Sequence, residues 1–268
     1  MSERTVEMER RGAAAWVWMS RPELHNALNE DLIAELTQAF RALEQDAGVR
    51  AIVLTGRGKS FCAGADIESM KRQGAAAFEE NLASARELAA MFHAIAESRK
   101  PTIARVNGAA IGGGLGLVSA CDIAVASREA KFAASEVRLG LIPATIGPYV
   151  VRAIGERWAR RLFQTAERIT AAQAERIGLV HEAVEPEALD ARIEAIVSDL
   201  EAGAPDAQSA AKDLIDAVAG QPVTTELIDD TAVRIAKIRA GEEAREGLSA
   251  FLEKRPAAWS RPTKANNV

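Results

Sequence analysis

Two glycine-containing turns in this sequence could place backbone amides against an anionic group. They span Phe61–Ile67 and Asn107–Gly116, and each follows a predicted strand and precedes a predicted helix. Glycine lets a ligand approach the backbone closely, and the unpaired N–H groups that begin a helix carry partial positive charge. The turns therefore suit an oxyanion, although similar turns also occur where a strand and a helix simply pack tightly.

Two phosphate-binding motifs are excluded. Gly58-Lys59-Ser60 resembles the end of a P-loop, but Val53 stands where that motif needs its first glycine. The glycine cluster Gly112–Gly116 lacks the spacing of the dinucleotide fingerprint and comes late in the chain, whereas that fingerprint lies at the first strand-to-helix turn. Neither turn is thus predicted to bind a nucleotide by these mechanisms.

The segments around the turns alternate between strand and helix patterns. The predicted strands are Ala14–Met19, Ala51–Thr55, Thr102–Val106, Asp122–Ala126 and a short extended piece around Phe132. The predicted helices run from the cap at Asn29 to about Ala47, from about Ala75 to Ser98 before Pro101, and from Gly113 to about Ala120. This alternation predicts an α/β fold with mostly parallel strands and helices on their faces.

The pattern changes near residue 185, after which no strand signal returns. Glu187–Leu252 is predicted to form three or four helices, broken at Gly203-Ala204-Pro205 and Gly220-Gln221-Pro222. We therefore divide the chain into a core of residues 1–190 and a C-terminal helical region with a tail, residues 191–268.

Composition excludes several functional classes. With 48% hydrophobic residues and a net charge of −5, the chain can bury a sizeable core and lacks the basic excess of a nucleic-acid binder. The apolar run Ala109–Ala126 contains four glycines and Asp122, so we expect no membrane span.

Histidines and cysteines give no sign of a metal site or a disulfide framework. The three histidines are far apart and share no ligand spacing with Cys62 and Cys121, which lie in apolar contexts. No apolar stretch follows the basic residue near the start, as a secretory signal would require. We expect no metal, no disulfide and a cytoplasmic location.

The two turns, with Arg21–Leu28 upstream and Ala134–Pro143 downstream, closely resemble the enoyl-CoA hydratase/isomerase (crotonase) family. The resemblance spans nearly the whole chain, and its blocks occur in the family's order. It implies a core of stacked ββα turns, with C-terminal helices that mediate homotrimers or dimers of trimers. It further implies an acyl-CoA thioester as substrate, with no separate cofactor because coenzyme A is part of that substrate.

The resemblance assigns the oxyanion hole to the amides of Ala65 and Gly113. A thioester enolate carries its charge on oxygen, so two fixed N–H donors stabilise it more than the neutral ground state, each by about 3 kcal/mol. Family hydratases commonly add two glutamates, and the resemblance places one at Glu136. The alternative for Glu136 is a solvent-facing glutamate at a strand end, but its apolar neighbours favour partial burial and a raised pKa.

Gly116 stands where the second glutamate of a standard hydratase belongs. This departure puts simple short-chain hydration in doubt, although one carboxyl can still serve as base and then as acid. We interpret Gly116 as making room for a bulky acyl group. The predicted substrate pocket consists of Ile111, Gly112, Gly116 and Leu141.

Coenzyme A contacts also follow from the resemblance. Adenine is expected along Ala63–Ile67 and near the upstream block, while Arg21 and Lys254 could supply positive charge to the phosphates. His25 stands where relatives often carry a basic residue and would be a pH-sensitive partner. The predicted coenzyme A residues are Arg21, Leu24, His25, Ala27, Ala63, Asp66, Ile67 and Lys254.

A finer resemblance bears on the substrate. Gly114–Ala124 and Leu139–Val151 look like the corresponding stretches of bacterial methylglutaconyl-CoA hydratases. Such substrates carry a distal carboxylate, for which Lys71 and Arg72 are candidate cations, unless both are merely solvated charges. Three functions stay open: a hydratase of α,β-unsaturated acyl-CoA, an enoyl-CoA isomerase that uses the same hole, and a CoA-binding protein without turnover.

Overall fold

The computed structural model describes residues 4–260, which form two compact units divided between Ala195 and Ile196. Ten strands and ten helices make up these residues, together with short 3-10 turns at Pro22–Leu24, Glu136–Leu139 and Pro186–Ala188. The strands are β1 Val6–Arg11, β2 Ala14–Met19, β3 Ala51–Gly56, β4 Ser60–Cys62, β5 Thr102–Val106, β6 Ala109–Ile111, β7 Ile123–Ser127, β8 Lys131–Ala133, β9 Ile169–Thr170 and β10 Glu182–Val184. The helices are α1 Glu30–Gln45, α2 Ile67–Ala75, α3 Phe78–Ala96, α4 Gly113–Ala120, α5 Gly147–Thr165, α6 Ala171–Arg176, α7 Leu189–Ala202, α8 Pro205–Val218, α9 Thr225–Ala240 and α10 Glu242–Glu253.

The first unit is built on two sheets. The larger sheet has the order β1-β2-β3-β5-β7-β10 and is parallel except for the β1–β2 pair. The smaller sheet has the order β4-β6-β8-β9 and is parallel except for the β8–β9 pair. Interior strands of a parallel sheet are covered on both faces, and accordingly every residue of β2 and β3 is buried.

Consecutive strands alternate between the two sheets in a repeating unit. In β3–β4, β5–β6 and β7–β8, the first strand joins the larger sheet and the second joins the smaller one, and a helix or helical turn follows. This repetition confirms the stacked ββα core that the sequence resemblance implied.

Helix α1 has the cap residue and the buried apolar face that its sequence pattern indicates. The Asn29 side chain accepts a hydrogen bond from Leu32 N at 3.0 Å, which satisfies one of the free donors at the helix start. The predicted apolar face is buried, with Leu36 and Phe40 at its centre. The predicted strands Ala14–Met19 and Thr102–Val106 have the bounds of β2 and β5.

The helix predicted from about Ala75 to Ser98 corresponds to α3, which is shorter by three residues at its start and two at its end. A separate helix, α2, precedes it and ends at Ala75, because Ala76 and Ala77 adopt extended backbone between the two helices. The Asn81 side chain donates to the carbonyl oxygens of Gln73 and Ala76 and so satisfies acceptors at the end of α2. Alanine favours helices by itself, and only these contacts reveal the break.

Gly116 lies in α4, and its place in the core corrects the interpretation that it makes room for an acyl group. A Cβ added to Gly116 would overlap with Ile146 Cγ2 and would lie 2.9 Å from Phe92 Cε1. The space that a side chain would need is therefore already filled by Ile146 and Phe92, both of which are buried.

The second unit contains α8, α9 and α10, so residues 186–260 hold four α-helices once α7 is included, in agreement with the three or four that the sequence predicted. Apolar side chains on these three helices are exposed: Ile215, Ile228, Ile235, Leu248, Phe251 and Leu252. Among residues 4–260, no helix has both the length and the apolar character that a membrane crossing requires.

The packing of α4 gives the first prediction. Gly116→Ala should lower the free energy of unfolding by about 1–3 kcal/mol, because overpacking against Ile146 and Phe92 outweighs the gain of about 1 kcal/mol in helix propensity. Gly74→Ala in α2 is the control, since a Cβ there meets no atom within 4 Å. Urea titrations should show the loss at Gly116 only, and equal stability of the two variants would contradict the packing described.

Candidate active site

One cavity of about 470 Å³ opens in the first unit, next to both glycine turns. Ala63, Ala65, Gly112, Gly113, Glu136 and Leu141, all predicted from the sequence, line it together. The other lining residues are Leu28, Ile33, Gly64, Met70, Gln73, Asn81, Ser84, Ala85, Leu88, Ser135, Leu139, Ile142, Pro143, Ala144, Thr145 and Ile146. The lining is mostly apolar with a few polar groups, as in many small-molecule sites.

The topology of the smaller sheet explains why these residues meet. β4, β6 and β8 are parallel neighbours, so their carboxyl ends lie at one edge. Ala65 follows β4, Gly113 follows β6 and Glu136 follows β8. Ligands commonly bind at the carboxyl ends of parallel strands, and this edge brings all three groups together.

The first turn presents the Ala65 amide by pairing its flanking residues with Leu28. Leu28 N donates to Gly64 O at 2.7 Å, and Asp66 N donates to Leu28 O at 2.9 Å. In such a parallel bridge the amide of the intervening residue points the other way. Gly64 has a φ of +96°, a conformation that a side chain would strain.

The second turn presents the Gly113 amide at the start of α4. Gly112 has a φ of +52°, and its N–H donates to Ala133 O at 2.8 Å, which ties the turn to β8. Gly113 is the first helical residue, so its N–H has no acceptor within the helix. The helix dipole adds partial positive charge at this point.

The two turns are in contact, and their two amides are unpaired. A Cβ on Gly64 would lie 2.9 Å from Ile111 O and 3.8 Å from Gly113 N. Within residues 4–260, neither Ala65 N nor Gly113 N donates a hydrogen bond to a protein acceptor. Two free backbone donors on residues that line one cavity are suited to stabilise a developing oxyanion.

Glu136 supplies the one ionisable side chain among the lining residues of the described chain. A Cβ on Gly112 would lie 3.2 Å from Glu136 Oε1, so the glycine leaves room for this carboxyl group. Its Oε2 is buried and has no partner among residues 4–260, and burial raises the pKa of Glu136 above its ordinary value. The solvent-facing alternative for Glu136 is therefore wrong.

Of the residues predicted to contact coenzyme A, Ala63 lines the cavity and the others do not. Leu24 is exposed in the 3-10 turn Pro22–Leu24, His25 Nδ1 lies 3.1 Å from Ser60 Oγ, and Ile67 begins α2 with its side chain exposed. Ala27 is buried, and Lys254 follows α10 in the second unit.

Arg21 and Asp66 form an ion pair with each other at 3.0 Å, and their side chains are only 13% and 10% exposed. Burial and hydrogen bonding shift the pKa of Asp66 in opposite directions. Although desolvation raises the pKa of Asp66, the hydrogen bonds from Arg21, Ser69 and Glu68 leave that pKa below its ordinary value.

Two predicted pocket residues do not line the cavity. Gly116 is packed behind Ile146, as described above, and Ile111 lies at the end of β6, where its carbonyl oxygen faces Gly64. Sequence reasoning missed the walls formed by α2 and α3 and, apart from Leu141, the wall formed by the loop after Glu136. The exposed apolar residues Leu139 and Ile142 were the available signal, but their exposure could not be recognised without the fold.

Residues 4–260 contain no group of three or more histidine, cysteine, aspartate or glutamate side chains arranged to hold a metal ion. Cys62 is buried and Cys121 is partly buried, and neither forms a disulfide bond within residues 4–260. Burial raises the pKa of Cys62 to about 12, which keeps that thiol protonated and unreactive near neutral pH.

Comparison with known proteins agrees with this site. The sequence model of the enoyl-CoA hydratase/isomerase family matches residues 9–262. A candidate enoyl-CoA hydratase of Thermus thermophilus is 37% identical over 94% of this chain and 98% of its own length. The crotonyl-CoA hydratase of Syntrophomonas wolfei is 36% identical over 96% of this chain and 98% of its length.

A solved structure extends the comparison. The crystal structure of an enoyl-CoA hydratase from Shewanella pealeana superimposes with a TM-score of 0.92 at 39% identity, and the match covers 95% of this chain and 96% of that one. The chain belongs to the enoyl-CoA hydratase/isomerase family and is an enzyme of that family.

The environment of Glu136 predicts a pH-dependent cost to stability. Its pKa is raised in the native state, so the native protein holds this proton more tightly than the unfolded chain, and stability falls as pH rises above about 4.5. Glu136→Gln removes this loss. The melting temperature of the variant relative to the parent should therefore be higher at pH 7 than at pH 4.

Glu129→Gln, at an exposed site, is the matched control for this measurement. An identical difference between Glu136→Gln and the parent at both pH values would show that the Glu136 carboxyl is not destabilised by burial.

Proposed function

We propose that this enzyme adds water to, or removes it from, an α,β-unsaturated acyl-CoA through an oxyanion-stabilised thioester enolate. One observation carries the proposal: the unpaired amides of Ala65 and Gly113 share a cavity with the buried, unpaired carboxyl group of Glu136. The similarity to the crotonyl-CoA hydratase of Syntrophomonas wolfei supports the reaction class.

The proposed oxyanion hole holds the thioester carbonyl oxygen between the two amides. Negative charge develops on this oxygen when a nucleophile adds at the β-carbon, and preorganised donors stabilise that charge with little reorganisation. Because both donors are backbone groups, their positions depend on the turns and not on side-chain rotamers.

Glu136 is proposed to carry the proton in both steps. Its carboxylate accepts a proton from water as the water oxygen bonds to the β-carbon. The π pair of the alkene shifts to the bond between the α-carbon and the carbonyl carbon, and the carbonyl π pair moves to the oxygen to give the enolate. Glu136 then returns the proton to the α-carbon, and the 3-hydroxyacyl thioester results. A raised pKa suits this work, because the group must both accept and donate near neutral pH.

A second function is favoured by the absence of another ionisable group from the cavity lining within residues 4–260. An enoyl-CoA isomerase needs one base that moves a proton between the γ- and α-carbons. The same hole and the same Glu136 would serve, so the two functions differ in whether water enters.

The finer proposal concerns the acyl group, for which we infer a polar end of the methylglutaconyl type. Gln73, Asn81 and Ser84 supply polar groups on the wall formed by α2 and α3, and Gln73 Nε2 donates to Ser84 Oγ at 3.2 Å. A second cavity shares Gln73 and Asn81 with the first and is also lined by Lys71. A distal carboxylate could reach this ammonium group.

Lys71 is held weakly enough to bind a substrate. Its Nζ lies 2.7 Å from Glu68 Oε1, and both side chains are about two-thirds exposed. Such a surface pair contributes little, so a carboxylate could replace Glu68 at small cost. Arg72 instead binds Glu30 and lines neither cavity.

We also propose a homotrimer or a dimer of trimers, located in the cytoplasm. The exposed apolar side chains of α8, α9 and α10, such as Ile228 and Phe251, support an interface on the C-terminal helices.

The reaction is tested by Glu136→Gln. The amide keeps the shape of the side chain but cannot carry a proton, so kcat should fall about 10²- to 10⁴-fold while thioester binding persists. Absorbance at the conjugated enoyl-thioester band is the readout, since hydration removes conjugation. Glu129→Gln should retain parental activity.

Full activity of Glu136→Gln on the best substrate would refute the catalytic role of this carboxyl. A gain of conjugated absorbance from a β,γ-unsaturated thioester, without bleaching of the α,β-isomer, would establish the isomerase instead.

The acyl-group proposal is tested by Lys71→Met. The KM for 3-methylglutaconyl-CoA should rise up to about fivefold, equivalent to an ion pair of ~1 kcal/mol, and the KM for crotonyl-CoA should not change. Arg72→Met is the matched control. Equal effects of Lys71→Met on both substrates would rule out a contact between Lys71 and a distal carboxylate.

A further inference from the structure

Backbone hydrogen bonds connect the segment Arg21–Leu28 to the turn that contains Ala65. Ala63 N donates to His25 O at 3.0 Å, and the two bonds of the Leu28 bridge flank Ala65 on either side. The direction of the Ala65 N–H therefore depends on where this segment lies.

The Arg21 side chain connects the segment to the residue after Ala65. One guanidinium nitrogen donates to Ala27 O and another donates to Asp66 Oδ2 at 3.0 Å. The planar fork of arginine allows both bonds at once. Asp66 Oδ1 meanwhile accepts from the amides of Glu68 and Ser69 and caps α2, so the aspartate is fixed as well.

Arg21 is itself held by a buried asparagine. Arg21 N donates to Asn26 Oδ1 and Asn26 N donates to Arg21 O, both at 2.9 Å. The Asn26 side chain is fully buried and donates to Ser60 O and Phe61 O in β4. The backbone from which the Arg21 side chain extends is therefore held in place.

Leu28 links the first amide to the second. Its backbone flanks Ala65, and its side chain packs so closely on Gly113 that a Cβ there would lie 2.6 Å from Leu28 Cδ1. A shift of Leu28 would thus move one donor and loosen the packing around the other.

We propose that the Arg21–Asp66 ion pair is a positioning element of the oxyanion hole, which fixes the Leu28 bridge and hence the geometry of the two amides. This inference rests on the proposed function. It replaces the expectation that Arg21 binds phosphate, because the low exposure of the pair and the two acceptors on the guanidinium leave little of it for a ligand.

The test compares Arg21→Met and Arg21→Lys with Arg105→Met. Arg105 is the matched control, because its side chain is 14% exposed and bound to Asp190 outside the cavity lining. Four quantities are measured for each variant: kcat, the melting temperature, the Kd of free coenzyme A by calorimetry, and the carbonyl stretch of a bound enoyl thioester by infrared difference spectroscopy. The spectra are recorded in a Glu136→Gln background, so that no turnover occurs.

Arg21→Met should lower kcat about 10- to 100-fold, as expected for a displaced donor, and should leave the Kd of coenzyme A within about twofold. The carbonyl stretch should move toward the frequency of the free thioester, because the hole polarises the bond less. Arg21→Lys should recover part of both effects, and Arg105→Met should change neither.

Three results would overturn the inference. A higher Kd of coenzyme A with unchanged kcat would assign Arg21 to phosphate binding, and a lower melting temperature with unchanged kcat and carbonyl stretch would make the pair merely structural. If the parent itself showed neither turnover nor a carbonyl shift, the proposed function would fail with it, whereas a normal parent and a parent-like Arg21→Met would refute the positioning role alone.

Discussion

The structure depends on keeping two backbone amides, those of Ala65 and Gly113, unpaired beside a cavity. A backbone N–H without a partner is costly, and proteins pair nearly all such groups when they are buried. Here the neighbours of each free amide are held by hydrogen bonds: Gly64 and Asp66 by Leu28, and Gly112 by Ala133. The surrounding bonds hold the turns in place while the two donors stay available.

Glu136 is likewise a buried polar group without a hydrogen-bond partner among residues 4–260. A buried carboxyl group with an unpaired oxygen destabilises the native state at neutral pH, since desolvation favours the protonated form. A partner cation would relieve this cost but would also lower the pKa and weaken the group as an acid. The isolation of Glu136 thus costs stability, and it leaves the carboxyl group with the raised pKa that the proposed acid–base role needs.

The stacked ββα turns bring the two unpaired amides and the buried carboxyl group together. β4, β6 and β8 are parallel neighbours, so each of the three ββα turns contributes one group at the same edge of the smaller sheet. These groups are the Ala65 amide, the Gly113 amide at the start of α4, and the Glu136 carboxyl group. The larger sheet, with its fully buried strands β2 and β3, supplies the rigid support. The loop after Glu136 and the helices α2 and α3 then form the other walls of the cavity.

The sequence by itself determined the order of elements in the core and the groups that could do chemistry. Glycine turns at strand ends and helical periodicity are local features, so α1, α4 and the two turns could be predicted from nearby residues. The tertiary structure alone decided three other points. The space beside Gly116 is occupied by the Ile146 side chain, Arg21 pairs with Asp66, and α2 and α3 are separated at Ala76. Each depends on residues 30 or more positions away or on side-chain contacts between helices, and no local pattern encodes such distances.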